Sequence, residues 1–295
     1  MNTYKLTLKL KSSLVTPLQA DTIWGHICWG IKYNESEKKL VEFLNQYKVE
    51  PPLILSNAFP KGTFPKPLIN RRYKTSIMNL YNYSIIKKEK KIRYISNENF
   101  PDKIFKQADL NSSSSVERIH NTINRITGTV KEEGGLFTVI EEWFEHNEFE
   151  IYILTTFDKD EVYKLFSYAF RIGYGADKST GKGMIEISDI IDTSLPLNGN
   201  KLMALANFTI PKGMKLNNFY ADVMIKYGKL GGDYVLYKNP FKKPIIMFKE
   251  GATFDRIEDI RFIGEILTNV HRESNICHYA YAPLIGIEIS EDFSQ

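Results

Sequence analysis

The chain opens on strict alternation. In Tyr4-Lys-Leu-Thr-Leu-Lys-Leu-Lys11 apolar and polar residues exchange at every step, the period of a strand with one buried face. Ser12 to Ala20, with Pro17, reads as a loop. The period then changes: Ile23, Trp24, Ile27, Cys28 and Ile31 recur at helical spacing. Asp21 just ahead of them predicts an N-cap for a helix running past Tyr33. Leu40, Val41 and Leu44 predict a second helical segment, which Pro51-Pro52 ends, and Leu53-Ile-Leu55 a short strand. From 60 to 115 the pattern is lost. Pro60, Pro65, Pro67 and four serines at 112–115 predict a long irregular insertion.

Regular patterning returns with a strand over Phe149 to Phe157. Val162, Leu165, Phe166 and Ala169 then predict a helix, capped by Asp158 or Asp160 and stopped by Gly173. Met184 to Ile191 predicts another strand. Strand–helix–strand, insertion, strand–helix–strand is the order of a ferredoxin-like (RRM-like) βαββαβ unit, its third strand placed near the insertion. Leu195 to Asn200 reads as a linker. Lys201 to Ile210 and Ala282 to Ile289 read as strands of a second α+β domain, with 211–270 open between strand and helix. The prediction is an α+β chain with domains over 1–194 and 200–295, the first carrying a basic insertion at about 60–147.

Composition narrows the function. The 295 residues are 43% hydrophobic and 25% charged, as in ordinary globular domains. No apolar run reaches the roughly 18 residues of a membrane span, and Met1 to Lys11 lacks a signal peptide's apolar core. Cys28 and Cys277 alone make neither a disulfide framework nor a zinc cage, so a reducing cytoplasm is the expected setting. Net charge is +4, yet Lys61 to Lys131 holds 15 Lys/Arg against 5 Asp/Glu. A field concentrated in one segment suits a polyanion such as nucleic acid, or a solvated lysine-rich insertion.

The most specific motif is Gly173-Tyr-Gly-Ala-Asp-Lys-Ser-Thr-Gly-Lys-Gly183. Its glycines let backbone approach a ligand and aim N–H groups at one place, and Lys178 and Lys182 add charge for phosphate. It is not a nucleotide-hydrolase P-loop: the glycine spacing is wrong, Gly183 replaces the hydroxyl residue after lysine, and the loop follows a helix instead of a strand. The plain alternative is a helix-to-strand connector. Ile119 to Phe137 predicts a projecting hairpin with its turn near Lys131 to Gly135, offering His120, Asn121, Asn124 and Arg125 to bases or phosphates. Thr22, His26, Trp29 and Tyr33 form a second stripe on the first helix, so both faces of that helix should be covered. His26 reads as a packed, hydrogen-bonded residue between domains, with general acid–base work as the alternative. Glu141, Glu142, Glu145, Glu148 and Glu150 with His146 read as a solvated acidic face. His271, Cys277 and His278 lack a further cysteine for zinc. Tyr73, Tyr81, Tyr83 and Tyr94 lie among basic residues from Arg71 to Arg93, a mixture that suits single-stranded RNA or a protein interface.

Together these segments resemble a known family. Leu18-Gln-Ala-Asp-Thr-Ile-Trp-Gly-His-Ile-Cys-Trp29, Leu55-Ser-Asn-Ala-Phe-Pro60 and Pro65-Lys-Pro67 are similar to the Csm-type RAMP subunit that caps the crRNA 5′ end in type III-A CRISPR effector complexes, an antiviral defence. So are Asn124-Arg-Ile-Thr-Gly128 with Gly134-Gly-Leu-Phe137, the 173–183 loop, Tyr227-Gly-Lys-Leu-Gly-Gly-Asp233 and Phe248-Lys-Glu-Gly251. The resemblance implies two ferredoxin-like domains, a thumb-like β-hairpin in the first, no catalysis, no metal and no cofactor. It implies that Gly173, Tyr174, Gly175, Lys178, Ser179, Gly181, Lys182 and Gly183, with His26, grip the crRNA 5′ tag. The hairpin, with His120, Asn121, Asn124 and Arg125, would kink the start of the guide. The implied partners are the large polymerase-like Csm subunit, a backbone RAMP subunit and, indirectly, target RNA; no membrane is involved. The alternative is a RAMP-fold, metal-independent endoribonuclease that processes precursor crRNA with His26 as base.

Overall fold

The computed structural model describes residues 1–69, 87, 91–98, 113–130, 135–236 and 239–289. Most of the basic stretch, with Tyr73, Tyr81, Tyr83, Arg71 and Arg72, lies outside them. In chain order the first half holds β1 (Asn2–Leu10), α1 (Ala20–Asn34), α2 (Glu37–Gln46), β2 (Leu53–Leu55), β3 (Phe59–Pro60), β4 (Thr63–Pro65) and β5 (Tyr94–Ser96). It continues with β6 (Ser113–Asn121), β7 (Leu136–Phe144), β8 (Glu148–Thr155), α3 (Lys159–Phe170) and β9 (Ile185–Asp192). The second half holds β10 (Lys201–Ala204), β11 (Val223–Lys226), β12 (Ile245–Phe248), β13 (Thr253–Asp255), β14 (Phe262–Leu267) and β15 (His278–Ile287). The class is α+β, as expected, and most elements among the described residues are strands.

The first sheet has the order β2-β8-β1-β9, with β3 also paired to β8, and every pairing is antiparallel. Leu6 and Leu8 of β1 and Ile151 and Ile153 of β8 are wholly buried. Each removes from water a side chain worth roughly 1.5–3 kcal/mol. The predicted stripes of α1 and α3 are the buried ones, Cys28 being only partly covered. Asp158, not Asp160, caps α3, accepting from the Glu161 N–H at 2.9 Å.

Three expectations are corrected. Asp21 does not cap α1: Gln19 holds the cap position without a side-chain bond, and Asn57 Oδ1 accepts from the Ala20 N–H instead (2.9 Å). Asp21 lies inside the first turn, buried. In α2 the anchoring residue is Phe43, and Val41 faces solvent. Ser113 to Ser115 form no loop; they open β6, paired with Phe144 to Glu142 of β7.

The second half departs from the βαββαβ order expected of it. Among its described residues there is no α-helix, and its sheet runs β13-β10-β15-β14. The ambiguous 211–270 stretch resolves into short strands and turns. β15 is buried at all ten positions and joins the halves: the Tyr279 hydroxyl accepts from the Leu55 N–H (2.8 Å), and its ring stacks on Trp24 at 5.5 Å. One hydrophobic core therefore runs through both halves. The 195–200 segment packs along β15, the Gly286 N–H donating to Pro196 O (2.8 Å).

The second stripe of α1 is covered in part: Thr22, His26 and Trp29 are half-buried, whereas Tyr33 at its end is exposed. Trp29 packs against Gly231 and Gly232, where any Cβ would stand within 2.7 Å of the indole. Tyr234 closes over the same ring at 5.7 Å. This close approach is why two glycines sit together in Tyr227–Asp233. Gln19, Asp21 and Thr22 meet Lys226 of β11, whose Nζ lies 2.8 Å from Asp21 Oδ2.

Candidate nucleic-acid interface

The loop between α3 and β9 is built by four glycines with positive φ: Gly173 (85°), Gly175 (76°), Gly181 (84°) and Gly183 (64°). Tyr174 is the pin that holds it. Its ring is fully buried, its hydroxyl donates to Pro17 O (2.6 Å) and accepts from the Gln19 N–H (3.3 Å). Burial pushes its phenol far above the ordinary range. Gly183 donates to Ser13 O and accepts from the Tyr174 N–H, at 2.9 and 2.8 Å.

The N–H groups that this loop was expected to offer to a ligand are mostly used internally. Gly175 donates to His26 Nε2 (3.1 Å), Ala176 to Thr16 Oγ1 (3.0 Å), and Thr180 and Lys182 to Asp177 O. Asp177 itself is left-handed (φ 56°) and leads into a single 3₁₀ turn, Lys178–Thr180. The N–H groups of Asp177, Lys178 and Ser179 donate to no group among the described residues. Lys178 has no ion-pair partner there either, and partial burial lowers its pKa. Ser179 is exposed. Successive free N–H groups after a left-handed residue form an anion-accepting concavity. One oxygen of the Asp177 carboxylate is buried and has no hydrogen-bond partner among the described residues.

Lys182 differs from Lys178. Its Nζ lies 2.7 Å from Glu141 Oε1, and it sits 6.0 Å above the Trp143 ring. Glu141 is wholly buried and also accepts from Ser13 Oγ (3.1 Å), with Arg118 Nε at 3.7 Å. The Lys182 hydrogen bond, then Ser13 and the two cations, hold its carboxyl below the usual range. The solvated-face reading is thus wrong for Glu141. It ties the hairpin base to the glycine loop, and it neutralises the charge that Lys182 was expected to give a phosphate.

His26 lies beneath the loop, between α1, α3 and Tyr174, within the first half and not between the two halves. Its ring is 5.0 Å from that of Tyr174. Burial first, then the nearby Lys178 charge, lowers its pKa to about 4. It is therefore a neutral acceptor that positions the Gly175 backbone. The unfolded imidazole titrates near 6.5, so between 6.5 and 4 the unfolded state binds more protons. This contribution to stability is complete above pH 6.5 and lost as pH falls to 4, about 3 kcal/mol in full. His278, also lowered to about 4 chiefly by burial, titrates in the same window. His26→Gln is expected to remove about half of the fall in melting temperature between pH 6.5 and 4; an unchanged slope refutes the assignment.

The hairpin β6–β7 projects from this site. A turn lies at Asn124 to Thr129, while the turn expected near Lys131 to Gly135 falls almost wholly outside the described residues. The Gly128 N–H donates to Asn124 O (2.8 Å), Asn124 Oδ1 accepts from the Ile126 N–H, and Ile123 bridges to Val130. Residues 131–134, Lys-Glu-Glu-Gly, lie outside the described residues. His120 stacks on Phe137 at 5.6 Å, while Asn121 and Arg125 are exposed. His120 is four residues beyond Val116, the residue opposite Glu141, so it stands about 13 Å farther out along the strand. The structure therefore brings His26, Tyr174, Gly175, Lys182 and Gly183 together as a scaffold. It offers Lys178 and Ser179 outward, and leaves His120, Asn121, Asn124 and Arg125 on a separate arm.

A buried polar cluster escaped the sequence reading. Asp21 of α1 meets Lys226 and, at 3.6 Å, His278 Nε2 of β15; Lys242 Nζ donates to Cys277 O (2.6 Å) and lies 3.4 Å from His278 Nδ1. Asp21 is 205 or more positions from each of the others, so only the fold brings it to them. Among the described residues no group of three His, Cys, Asp or Glu side chains could hold a metal ion, and no helix is long and apolar enough to cross a membrane.

The same fold occurs in solved assemblies. A chain of a Csm1–Csm4 cassette in complex with AMPPNP aligns with a TM-score of 0.61 and 15% identity, over 98% of this chain and 99% of that one. For the cassette in complex with cA4 the values are 0.60 and 14%, with the same coverage. For a Csm3–Csm4 subcomplex of the type III-A CRISPR-Cas interference complex they are 0.56 and 14%, over 94% and 99%. Csm4 is the component these assemblies share, and the likeness in fold runs the length of the chain. No protein-family model matches the sequence, and neither does any curated protein.

Proposed function

We propose that this chain is the Csm4-like subunit of a cytoplasmic type III-A CRISPR effector complex. It binds the crRNA 5′ tag without catalysis and bridges the polymerase-like large subunit to the backbone RAMP subunit, meeting target RNA only indirectly. The order β2-β8-β1-β9 around α1 and α3 supports a ferredoxin-like first domain. The observation that carries the RNA reading is the loop crest: three unpartnered N–H groups beside the unpaired Lys178, on a loop held rigid from below. Backbone donors plus one lysine suit a phosphate and carry no base preference. Lys182, Tyr174 and His26 act behind that surface by holding its shape, and the hairpin arm supplies a second contact through Arg125 and the His120–Phe137 stack.

Removing one phosphate contact from single-stranded RNA lowers the slope of log affinity against log salt by about 0.7. Lys178→Ala is expected to show that loss irrespective of sequence, and Lys182→Ala to leave the slope unchanged while lowering stability. Equal slopes for Lys178→Ala and wild type would place the RNA elsewhere.

The nuclease reading is disfavoured because the Nε2 lone pair of His26, the one a base needs, accepts from the Gly175 N–H. The purified chain is expected to leave precursor crRNA intact. Cleavage abolished by His26→Ala would reverse this conclusion.

A further inference from the structure

Strands β11 and β12 form a two-stranded ribbon with dissimilar faces. On the inner face Ile245 and Met247 join a small core with Leu230, Val270, Ile276 and Ala280. Lys226, also inward, is pinned to Asp21, so the ribbon is fixed to α1. On the outer face Val223 is 55% exposed, Ile225 58%, Tyr227 64% and Ile246 66%. Ile225 and Ile246 stand directly opposite each other, and alternation puts Val223 and Tyr227 on their side. Phe241, half exposed, extends the apolar surface at the far end. Exposed lysines surround it: Lys249 at one end, Lys229 and Lys243 at the other, with Asp222 the acidic neighbour of Val223.

Large contiguous apolar surface with a polar rim marks an interaction site. We propose that the outer face of this ribbon docks a folded protein partner whose own patch is apolar at its centre and acidic at its rim. RNA fits the face poorly, because bases stack on aromatic rings and three of the four central side chains are branched aliphatics. A second copy of this chain fits poorly too, because a two-fold contact would set one lysine rim against another. The inference draws on the subunit reading only for the two proteins used as probes.

The full-length chain is mixed separately with the large subunit and with the backbone RAMP subunit, and association is followed by sedimentation. Ile225→Glu/Ile246→Glu is expected to weaken one of the two associations at least tenfold. Ile225→Thr/Ile246→Thr, which keeps strand-forming side chains, and Lys229→Glu/Lys243→Glu are each expected to weaken the same one. Melting temperature and crRNA affinity should match wild type. Unchanged association with both proteins overturns the inference alone. So does a loss confined to crRNA affinity, or a wild-type dimer that the variants dissolve. A wild-type chain that associates with neither subunit overturns this inference and the subunit reading together.

Discussion

Gly183→Ala is expected to cost about 3 kcal/mol or more, whereas Gly181→Ala, two residues away, costs about 1. Both glycines have positive φ, so both substitutions incur the left-handed penalty of an L-residue. They differ in what the new methyl group meets. At Gly181 nothing lies within 4 Å; at Gly183 a Cβ would stand 2.0 Å from Tyr174 O and 2.9 Å from its carbonyl carbon. That carbonyl cannot retreat, because the Tyr174 ring is buried and its hydroxyl is bonded to Pro17 and Gln19. For a chain of this size the two variants should differ in melting temperature by roughly 3 °C or more. Gly181→Val should stay folded yet lose tag RNA, since it adds bulk at the loop crest. Equal melting temperatures for the two alanine variants would refute the loop geometry, and wild-type RNA affinity in Gly181→Val would move the RNA away from the loop.

Asp21→Ala is expected to be the most destabilising single change outside the apolar core, at about 3–5 kcal/mol. Asp21 is the anion between Lys226 and His278, with Lys242 adjoining, and its side chain and that of His278 are almost fully buried. Removing it leaves cations confined together with only Gln19 and Thr22 oxygens to receive Lys226. The loss falls between α1 and the β11–β15 side, so the two halves loosen from each other. A fall of roughly 5–8 °C in melting temperature is the expected reading. Asp21→Leu combined with Lys226→Met should recover much of it, because a buried ion pair replaced whole by apolar groups is often near neutral. Equal melting temperatures for Asp21→Ala and wild type would refute the cluster.

Local periodicity made the elements of the first half legible. Alternation from Tyr4 to Lys11 and the helical stripes at Ile23–Ile31 and Val162–Ala169 report a buried face, and burial is what the structure confirms. The glycine loop was legible for a related reason: four positive φ angles in eleven residues require residues without a Cβ. The second half was harder, because β10, β11, β12 and β13 are only three or four residues long, too short for a period to show.

What the loop does with its groups was decided by tertiary structure. A lysine in a sequence is a charge; whether a carboxylate already neutralises it depends on chain 41 residues away, as Lys182 and Glu141 show. The roles of His26 and Asp21 were hidden in the same way. Each is a polar residue on a helix until a distant N–H or lysine defines it as an acceptor or a counter-ion. Sequence patterning alone determined where β1, α1, β8, α3, β9 and the glycine loop lie, because those depend on near-neighbour spacing. Which charged groups remain free to bind was settled only by the fold, because burial and ion pairing are made by residues far apart in the chain.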